Sequence, residues 1–237
     1  MKLIAHRGAS GGFPENTLAS FRAAFAAGAE AVEFDVQRTR DGRLAVLHDT
    51  DLRRLAGRKS KVGKLDFAEL SSFDVGSWFD RRFQAERVPS LEEVLDLVPA
   101  GVEVHLEIKQ ARPLYKGIEE DALRVLRGRP NLADRVVVSS FHHPTLRALR
   151  ERDPGIRLGF LAGPMFFFRA AAKAKALGCE SLNISLRQVS PRWVRAAHSR
   201  GLKLLVYTVN KGEDAARLEA MGVDGIFTDR LVQAAAA

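Results

Sequence analysis

The 237-residue sequence contains one cysteine, Cys179, and few tryptophan, tyrosine or methionine residues. One cysteine cannot form a disulfide within the chain and cannot by itself supply a cysteine-based zinc site. Long apolar runs are also absent, since no stretch approaches the roughly 20 apolar residues of a membrane span. The apolar start at Leu3–Ala5 is too short for the core of a signal peptide. We therefore expect a soluble, cytoplasmic protein.

Acidic residues are the minority charge, with 29 Asp and Glu against 37 Lys and Arg, so the formal net charge is +8. An excess of positive charge suggests nucleic acid or an anionic membrane surface as a partner. The densest basic patch, Arg53–Lys64, lacks aromatic interleaving, and no nucleic-acid-binding motif accompanies it. We expect no specific nucleic-acid partner. The charge alone indicates only that the ligand is anionic or carries phosphate.

Short apolar segments alternate with amphipathic ones along the chain. The run Leu3–His6 precedes a helical pattern over 17–27, and Val102–Ile108 precedes another from about 117 to 126. Ala31–Val36 is predicted as a strand, and Pro191–His198 as a helix whose first turn suits Pro191. About eight such units predict an α/β fold, a (β/α)₈ barrel of the TIM type, with the hairpin strand Arg43–Leu47 as an extra. An open Rossmann-like sheet is the alternative, but no Gly-x-Gly-x-x-Gly motif follows the first strand.

The stretch from about 49 to 89 is too long for an ordinary connection between a strand and a helix. It contains its own aromatic residues and ends near Ser90 and Glu93, whose spacing predicts a capping box. We expect a small insertion after the second barrel strand, packed on the barrel within a single domain that spans residues 1–237. The aromatic residues are Phe67, Phe73, Trp78, Phe79 and Phe83.

Polar residues lie at the ends of the predicted strands, where a barrel of this type builds its site. Glu33 and Asp35 are two apart and therefore point to one side of their strand, and Glu107 and Lys109 repeat that spacing. Each pair alone could be a structural salt bridge, and each histidine a structural residue. Their joint occurrence at consecutive strand ends favours one shared site. The candidates are His6, Arg7, Glu33, Asp35, His48, Glu107 and Lys109.

These residue types have a common chemistry. Three converging carboxylates favour a hard divalent cation, Ca²⁺ or Mg²⁺, over zinc. Two histidines at the rim can donate and accept protons near neutral pH. Arg7 offers a bidentate fork for phosphate. The set favours phosphate-ester chemistry over acyl or hydride transfer.

Five motifs in order now resemble one family, the glycerophosphodiester phosphodiesterases. The motifs are His6-Arg7-Gly8, Pro14-Glu15-Asn16-Thr17, Glu33-Phe34-Asp35-Val36, His48-Asp49 and Leu106-Glu107-Ile108-Lys109. The resemblance runs nearly end to end. It includes the insertion, through Phe73–Phe79 and Val88–Glu93.

The resemblance implies metal-dependent hydrolysis of glycerophosphodiesters to glycerol 3-phosphate and an alcohol, through a cyclic phosphate intermediate. It implies that one divalent cation is held by Glu33, Asp35 and Glu107, with Glu15 as a further ligand or a neighbour of the ligands. The implied catalytic residues are His6 and His48, which exchange protons, and Lys109, which stabilises the charge at phosphorus. The implied substrate-binding residues are Arg7, Phe141 and Tyr207, where Tyr207 replaces the tryptophan usual in the family and Phe141 could equally belong to the core.

Two alternative functions stay open. Pro164–Phe168 contains three successive phenylalanines directly after a predicted strand, and a buried cluster or an apolar lip could result. A lip would admit acyl chains and favour a phosphodiesterase of the lysophospholipase D type. A basic barrel that binds anions or nucleic acid without catalysis is the alternative of another class. His105 shares a face with Glu107, and Cys179 suggests no chemistry.

Overall fold

The computed structural model describes residues 1–111 and 114–231. Within these residues nine strands form, at β1 Lys2–His6, β2 Ala31–Arg38, β3 Leu44–Val46, β4 Glu103–Ile108, β5 Val136–Ser140, β6 Arg157–Leu161, β7 Ser181–Ser185, β8 Lys203–Tyr207 and β9 Gly225–Thr228. The α-helices there are α1 Leu18–Ala26, α2 Arg53–Ala56, α3 Phe67–Leu70, α4 Leu91–Leu97, α5 Ile118–Arg127, α6 His143–Arg152, α7 Phe167–Ala176, α8 Pro191–His198 and α9 Gly212–Met221. Short 3₁₀ turns occupy Val62–Lys64, Arg81–Phe83 and Pro130–Arg135.

The strands close into a barrel. Each of β1, β2 and β4 to β9 pairs in parallel with its neighbour, and β1 also pairs with both β2 and β9, which closes the ring. The strand β3 pairs antiparallel with β2 and is the extra hairpin strand that the sequence predicts. The predicted (β/α)₈ barrel, with its insertion after the second barrel strand, is confirmed.

Local sequence explains where the outer helices begin. Ser90 accepts a hydrogen bond from the Glu93 backbone while the Glu93 side chain accepts from Ser90, so the predicted capping box forms at the start of α4. Pro191 occupies the first turn of α8, where its missing N–H costs nothing. None of the helices in residues 1–111 and 114–231 combines the length and the apolar character needed to cross a membrane.

The inside of the barrel is apolar only in part. Ile4, Ala31, Leu205 and Phe227 form a small buried cluster in the barrel interior. Inward-facing positions two residues further along β1 and β2 are His6 and Glu33, so the interior becomes polar toward the carboxyl ends of these strands. The larger core lies between the strands and the outer helices. The polar end of the barrel is therefore where a site can form.

The segment between β3 and α4 has a second, smaller core. It joins hairpin residues such as Ala45 and Leu47 to the short helices α2 and α3 through buried side chains that include Leu52, Phe67 and Leu70. This segment corresponds to the predicted insertion at about 49–89. The extent of the domain, 1–237, stays a prediction because it includes residues 112–113 and 232–237, which lie outside the described residues.

Candidate active site

One cavity opens at the carboxyl ends of the strands, and its lining divides into two parts of different character. The charged half is supplied by β1, β2, β4 and the loops that follow β1, β3 and β4, and it comprises His6, Arg7, Glu33, His48, Glu107 and Lys109. The neutral half is supplied by β5 to β9 and the residues that follow them, and it comprises Ser139, Phe141, Leu161, Asn183, Tyr207, Thr208 and Phe227. The structure thus brings most of the sequence-predicted residues to one cavity.

Three carboxylates converge in the charged half. Asp35 and Glu107 are direct neighbours across the β2–β4 ladder, and Glu33 points to the same side of β2 as Asp35. Each of the three offers an oxygen, and these oxygens all lie within 4.8 Å of one another. The three residues are also buried, with exposed fractions of 5%, 1% and 8% for Glu33, Asp35 and Glu107.

The electrostatics of this cluster are unfavourable without a cation. Burial, together with the charges of its two carboxylate neighbours, raises the pKa of Glu33 well above its ordinary value. Burial also raises the pKa of Glu107 to about 7. Burial acts in the same direction on Asp35, but the charges of Lys109 and Arg7 keep its pKa below the ordinary range. Hard oxygen ligands that repel one another at this distance fit a divalent cation such as Ca²⁺ or Mg²⁺.

Two basic side chains surround the carboxylates. Lys109 Nζ lies 3.0 Å from Asp35 Oδ1 and 2.6 Å from Glu107 Oε1. Arg7 has a backbone φ of 56°, in the left-handed region that side chains rarely adopt, and its Nε lies 3.3 Å from Asp35 Oδ2 without a hydrogen bond. The guanidinium therefore lies beside the carboxylates, and its buried Nε is close to Asp35 but makes no hydrogen bond to a described residue.

Glu15 is held by arginine. Its carboxylate accepts from Arg7 Nη1 at 2.8 Å and from both Nη atoms of Arg54 at 2.8 Å each. These partners outweigh burial and lower the pKa of Glu15. Among the residues that the structure describes, the carboxylates that converge are Glu33, Asp35 and Glu107, without Glu15. The position of Glu15 therefore favours a role as a neighbour of the cation ligands over direct ligation of the cation.

Each candidate histidine is oriented by an aspartate. His6 Nδ1 donates to Asp229 Oδ1 at 2.7 Å, and His48 Nδ1 donates to Asp49 Oδ1 at 2.8 Å. The second ring nitrogen of His6, Nε2, lies 3.9 Å from Glu33 Oε2. A carboxylate at Nδ1 fixes the tautomer in which Nε2 can accept a proton. Burial lowers the pKa of His48, which favours this neutral form.

Asp229 is a site residue that the sequence reasoning missed. Besides His6, its carboxylate accepts from Ser10 Oγ at 3.0 Å and from Asn210 Nδ2 at 2.7 Å. Although burial opposes it, the hydrogen bonds lower the pKa of Asp229 to about 2, so it stays ionised. Asp229 directly follows β9, and His6 is the last residue of β1, so both lie at the carboxyl end of a barrel strand. Applied to the last strand, the rule would have found it.

Gln37 is a second residue that the sequence reasoning missed. Its amide nitrogen donates to the backbone carbonyls of Leu47, His48 and Asp49, at 2.9, 3.1 and 2.6 Å. Its amide oxygen accepts from the Tyr115 hydroxyl at 2.8 Å. Gln37 thereby fixes the loop that presents His48. The inward alternation of Glu33 and Asp35 continues to this residue, but the predicted strand ended at Val36.

Other residues singled out in the sequence lie away from the cavity lining. His105 is buried inside the barrel, where its Nε2 donates to Glu103 Oε1 at 2.9 Å. Cys179 is buried before β7, and burial raises the pKa of its thiol to about 12. Phe166 and Phe168, at the start of α7, are 67% and 49% exposed and stack on each other. Both therefore face solvent, as a lip would.

The glycerophosphoryl diester phosphodiesterase family model matches residues 6–233, which is nearly the whole chain. The protein belongs to this family. The match extends from the first candidate histidine past the last barrel strand, so it includes every residue that lines the cavity.

Named relatives agree with this membership. A glycerophosphodiester phosphodiesterase of Caldanaerobacter subterraneus is 36% identical over 96% of this chain and 93% of its own length. One from Bacillus altitudinis is 36% identical over 96% and 94% of the two chains. Among solved structures, an Oleispira antarctica phosphodiesterase in complex with the product sn-glycerol-3-phosphate superposes with a TM-score of 0.83, at 30% identity, over 97% of this chain and 93% of the other.

In this glycerophosphodiester phosphodiesterase family member, aromatic rings form one wall of the neutral half. Phe141, which is 45% exposed, packs edge-on against Tyr207, with ring centroids 6.2 Å apart. Burial raises the pKa of the Tyr207 phenol to about 12, so it stays neutral. Tyr207 therefore contributes an uncharged aromatic ring and a hydroxyl to this wall.

Proposed function

We propose that the protein is a divalent-cation-dependent hydrolase that cleaves glycerophosphodiesters into glycerol 3-phosphate and an alcohol. The observation that carries the proposal is the convergence of three buried carboxylates beside two histidines, each oriented by an aspartate. Membership of the family and the product-bound relative from Oleispira antarctica support the same substrate class.

The proposed roles follow from the contacts. Glu33, Asp35 and Glu107 would hold one Ca²⁺ or Mg²⁺ ion, and Glu15 would help to position Arg7. When bound, the cation neutralises phosphate charge and lowers the pKa of a coordinated hydroxyl. Arg7 would contact a phosphate oxygen through its guanidinium, and Lys109 would stabilise the negative charge that grows at phosphorus. The aromatic wall formed by Phe141 and Tyr207 would contact the substrate.

Proton transfer is assigned to His6 and His48. In the first step, Nε2 of a neutral histidine accepts the proton of the glycerol 2-hydroxyl as this oxygen attacks phosphorus. The other histidine starts as the imidazolium and donates its Nε2 proton to the departing alcohol. A cyclic phosphate results. In the second step the two histidines exchange roles, so that one activates water and the other protonates the glycerol oxygen as the ring opens. Asp229 and Asp49 keep each ring in the required tautomer throughout.

The test is release of glycerol 3-phosphate, measured with a coupled assay on the purified protein. After EDTA treatment, Ca²⁺ and Mg²⁺ are added back separately, with glycerophosphocholine, glycerophosphoethanolamine and glycerophosphoglycerol as substrates. We expect release that depends on one of the two cations. No release from any of these substrates, or release undiminished by EDTA, would contradict the proposal. The same assay identifies the preferred cation and head group.

A second candidate function rests on the exposed pair Phe166 and Phe168. Stacked phenylalanines in solvent are uncommon unless they bind an apolar group, and they follow β6 at the same end of the barrel as the cavity. A lysophospholipase D activity would use them to hold an acyl chain. Turnover of lysophosphatidylcholine that falls in Phe166→Ser and Phe168→Ser variants, with glycerophosphocholine turnover retained, would support it. Absence of lysophosphatidylcholine turnover would exclude it.

The composition of the sequence supports a proposed cytoplasmic location. A cytoplasmic enzyme of lipid and glycerol metabolism is consistent with the substrate class. Fractionation of cells, followed by detection of the protein in the cytosolic fraction, tests the location.

A further inference from the structure

The inner face of β7 carries two buried polar side chains without partners. Ser181 and Asn183 are two residues apart, both point into the barrel, and each is 1% exposed. Neither Ser181 Oγ nor Asn183 Oδ1 makes a hydrogen bond to any residue that the structure describes. Gly159 on the neighbouring strand leaves room for both, since a Cβ there would lie 3.0 Å from Ser181 Oγ and 3.2 Å from Asn183 Nδ2.

Only one of these two side chains reaches the cavity. Asn183 belongs to the neutral half, whereas Ser181 is not part of the lining. Burying an amide oxygen without a hydrogen bond is costly, so a buried, unpartnered amide at the wall of a cavity is satisfied by what the cavity binds. Asn183 therefore has the position of a ligand-binding residue.

The surroundings of Asn183 define the chemistry of its ligand. The lining residues contributed by β5 to β9 carry no charge, and Phe141, Leu161 and Tyr207 present apolar or aromatic surface. Such a wall suits a neutral carbon skeleton and offers no charged side chain to a phosphate. Aromatic rings can also contact a quaternary ammonium group, but that group cannot donate a hydrogen bond to the amide oxygen of Asn183. An alcohol hydroxyl can donate to the amide oxygen and accept from the amide nitrogen. A small polyol fits both requirements.

We propose that Asn183 is a specificity-determining residue that binds the terminal hydroxyl of the glycerol moiety. The inference rests on the proposed function, in which the glycerol 2-hydroxyl reacts near the two histidines of the charged half. The terminal hydroxyl is one carbon further along and is the neutral group common to every glycerophosphodiester, whereas the head group varies in charge. The neutral half thus selects glycerol, and the charged half reacts with the phosphate.

A pair of substrates tests this assignment. Glycerophosphocholine is compared with its 2-hydroxypropyl analogue, in which a methyl group replaces the terminal hydroxymethyl group while the attacking 2-hydroxyl remains. Release of choline, the product that both substrates share, is measured. For the wild-type protein we expect kcat/KM to favour glycerophosphocholine by about 10- to 100-fold, because the analogue leaves the amide unsatisfied. In Asn183→Leu the preference falls to within a few-fold, mainly through a higher KM for glycerophosphocholine. Asn183→Ser keeps a hydroxyl and retains part of the preference.

Ser181→Ala is the matched control, because Ser181 shares the strand, the inward orientation and the missing hydrogen bond but not the cavity. We expect it to keep the wild-type preference. A wild-type protein that hydrolyses both substrates equally would overturn the role of Asn183 and leave the proposed function intact. So would a loss of preference in Ser181→Ala as large as that in Asn183→Leu. If the wild type hydrolyses neither substrate, the proposed function fails and the assignment fails with it. Should Asn183→Leu not fold, the Asn183→Ser comparison decides.

Discussion

The charged and neutral halves of the cavity satisfy their buried polar groups in opposite ways. In the charged half, Lys109 forms ion pairs with Asp35 and Glu107, and Arg7 forms ion pairs with Glu15 and Asp35. In the neutral half the buried amide oxygen of Asn183 has no hydrogen-bond partner among the described residues, and Phe141, Tyr207 and Phe227 contribute aromatic rings to the wall. The charged half is an interlocked network, whereas the neutral half consists of separate contacts.

This difference determines how replacements act. Removing one member of a buried charge network leaves another charge uncompensated, so its effect on turnover and folding is large. Removing one contact from the neutral half affects only the group that it binds. We therefore expect variants of the charged half to have a lower kcat and variants of the neutral half to have a changed KM.

The largest effect is expected from removal of the cation. Relief of the repulsion among Glu33, Asp35 and Glu107 should make the protein more stable when Ca²⁺ or Mg²⁺ is present. At a concentration of about 100 times Kd the added stability is about 2.7 kcal/mol, which corresponds to a rise of roughly 5–10 °C in Tm for a chain of this size. Thermal unfolding with and without the cation measures the rise.

Glu107→Gln should abolish most of this rise in Tm, because an amide is a weaker ligand than a carboxylate. Ser139→Ala, from the neutral half, serves as the control and should keep the full rise. If the cation raises the Tm of Glu107→Gln as much as that of the wild type, the cation does not bind at this cluster. The two halves would then not differ in cation binding.

The next largest effect is expected at the histidines. His6→Ala and His48→Ala should each lower kcat by about 10²- to 10⁴-fold, since both proton transfers depend on them. His142 lies at the same end of the barrel after β5, with its Nδ1 next to Thr145 Oγ1 at 3.1 Å, and serves as the control. His142→Ala should retain activity within a few-fold. Equal losses in the three variants would indicate a general disturbance of this end of the barrel.

A smaller loss is expected at Asp229, which acts on the reaction through His6. Asp229→Asn keeps the shape of the side chain but can donate to Nδ1, and so favours the wrong tautomer. We expect kcat to fall by roughly 10- to 100-fold with little change in KM. The loss should be much smaller when it is measured in the His6→Ala background, because the residue that Asp229 orients is then missing. Additive losses would contradict a role through His6.

The smallest effect is expected in the neutral half at Tyr207. Among the described residues the phenol oxygen has no hydrogen-bond partner, so Tyr207→Phe should change kcat/KM by only a few-fold. Tyr207→Ala removes the ring that packs on Phe141 and should raise KM more, with kcat nearly unchanged. Steady-state kinetics with glycerophosphocholine measure both. A large loss of kcat in Tyr207→Phe would show that the hydroxyl takes part in the reaction. The neutral half would then contribute to kcat as well as to KM.

Most of the fold follows from periodicity. The predicted helix at Pro191–His198 has the observed bounds, because a proline begins it and apolar spacing continues to its end. Boundaries set by tertiary contacts were less accurate. Two further residues extend β2 to Arg38, since β3 pairs with that end of the strand. Those two residues include Gln37, so the position of the His48 loop was missed with them.

The order of residue types along the chain is enough to predict the barrel and the chemical groups of the charged half. Alternation along one strand shows which side chains share a face, and this pattern identifies His6, Glu33, Asp35, Glu107 and Lys109. Which side chains from distant segments meet depends on how the strands close into a ring. Asp229 is 223 residues from His6 in the chain, and Asn183 is an ordinary polar residue until the cavity beside it is known. Closure of the barrel joins the last strand to the first, and no local pattern encodes that contact.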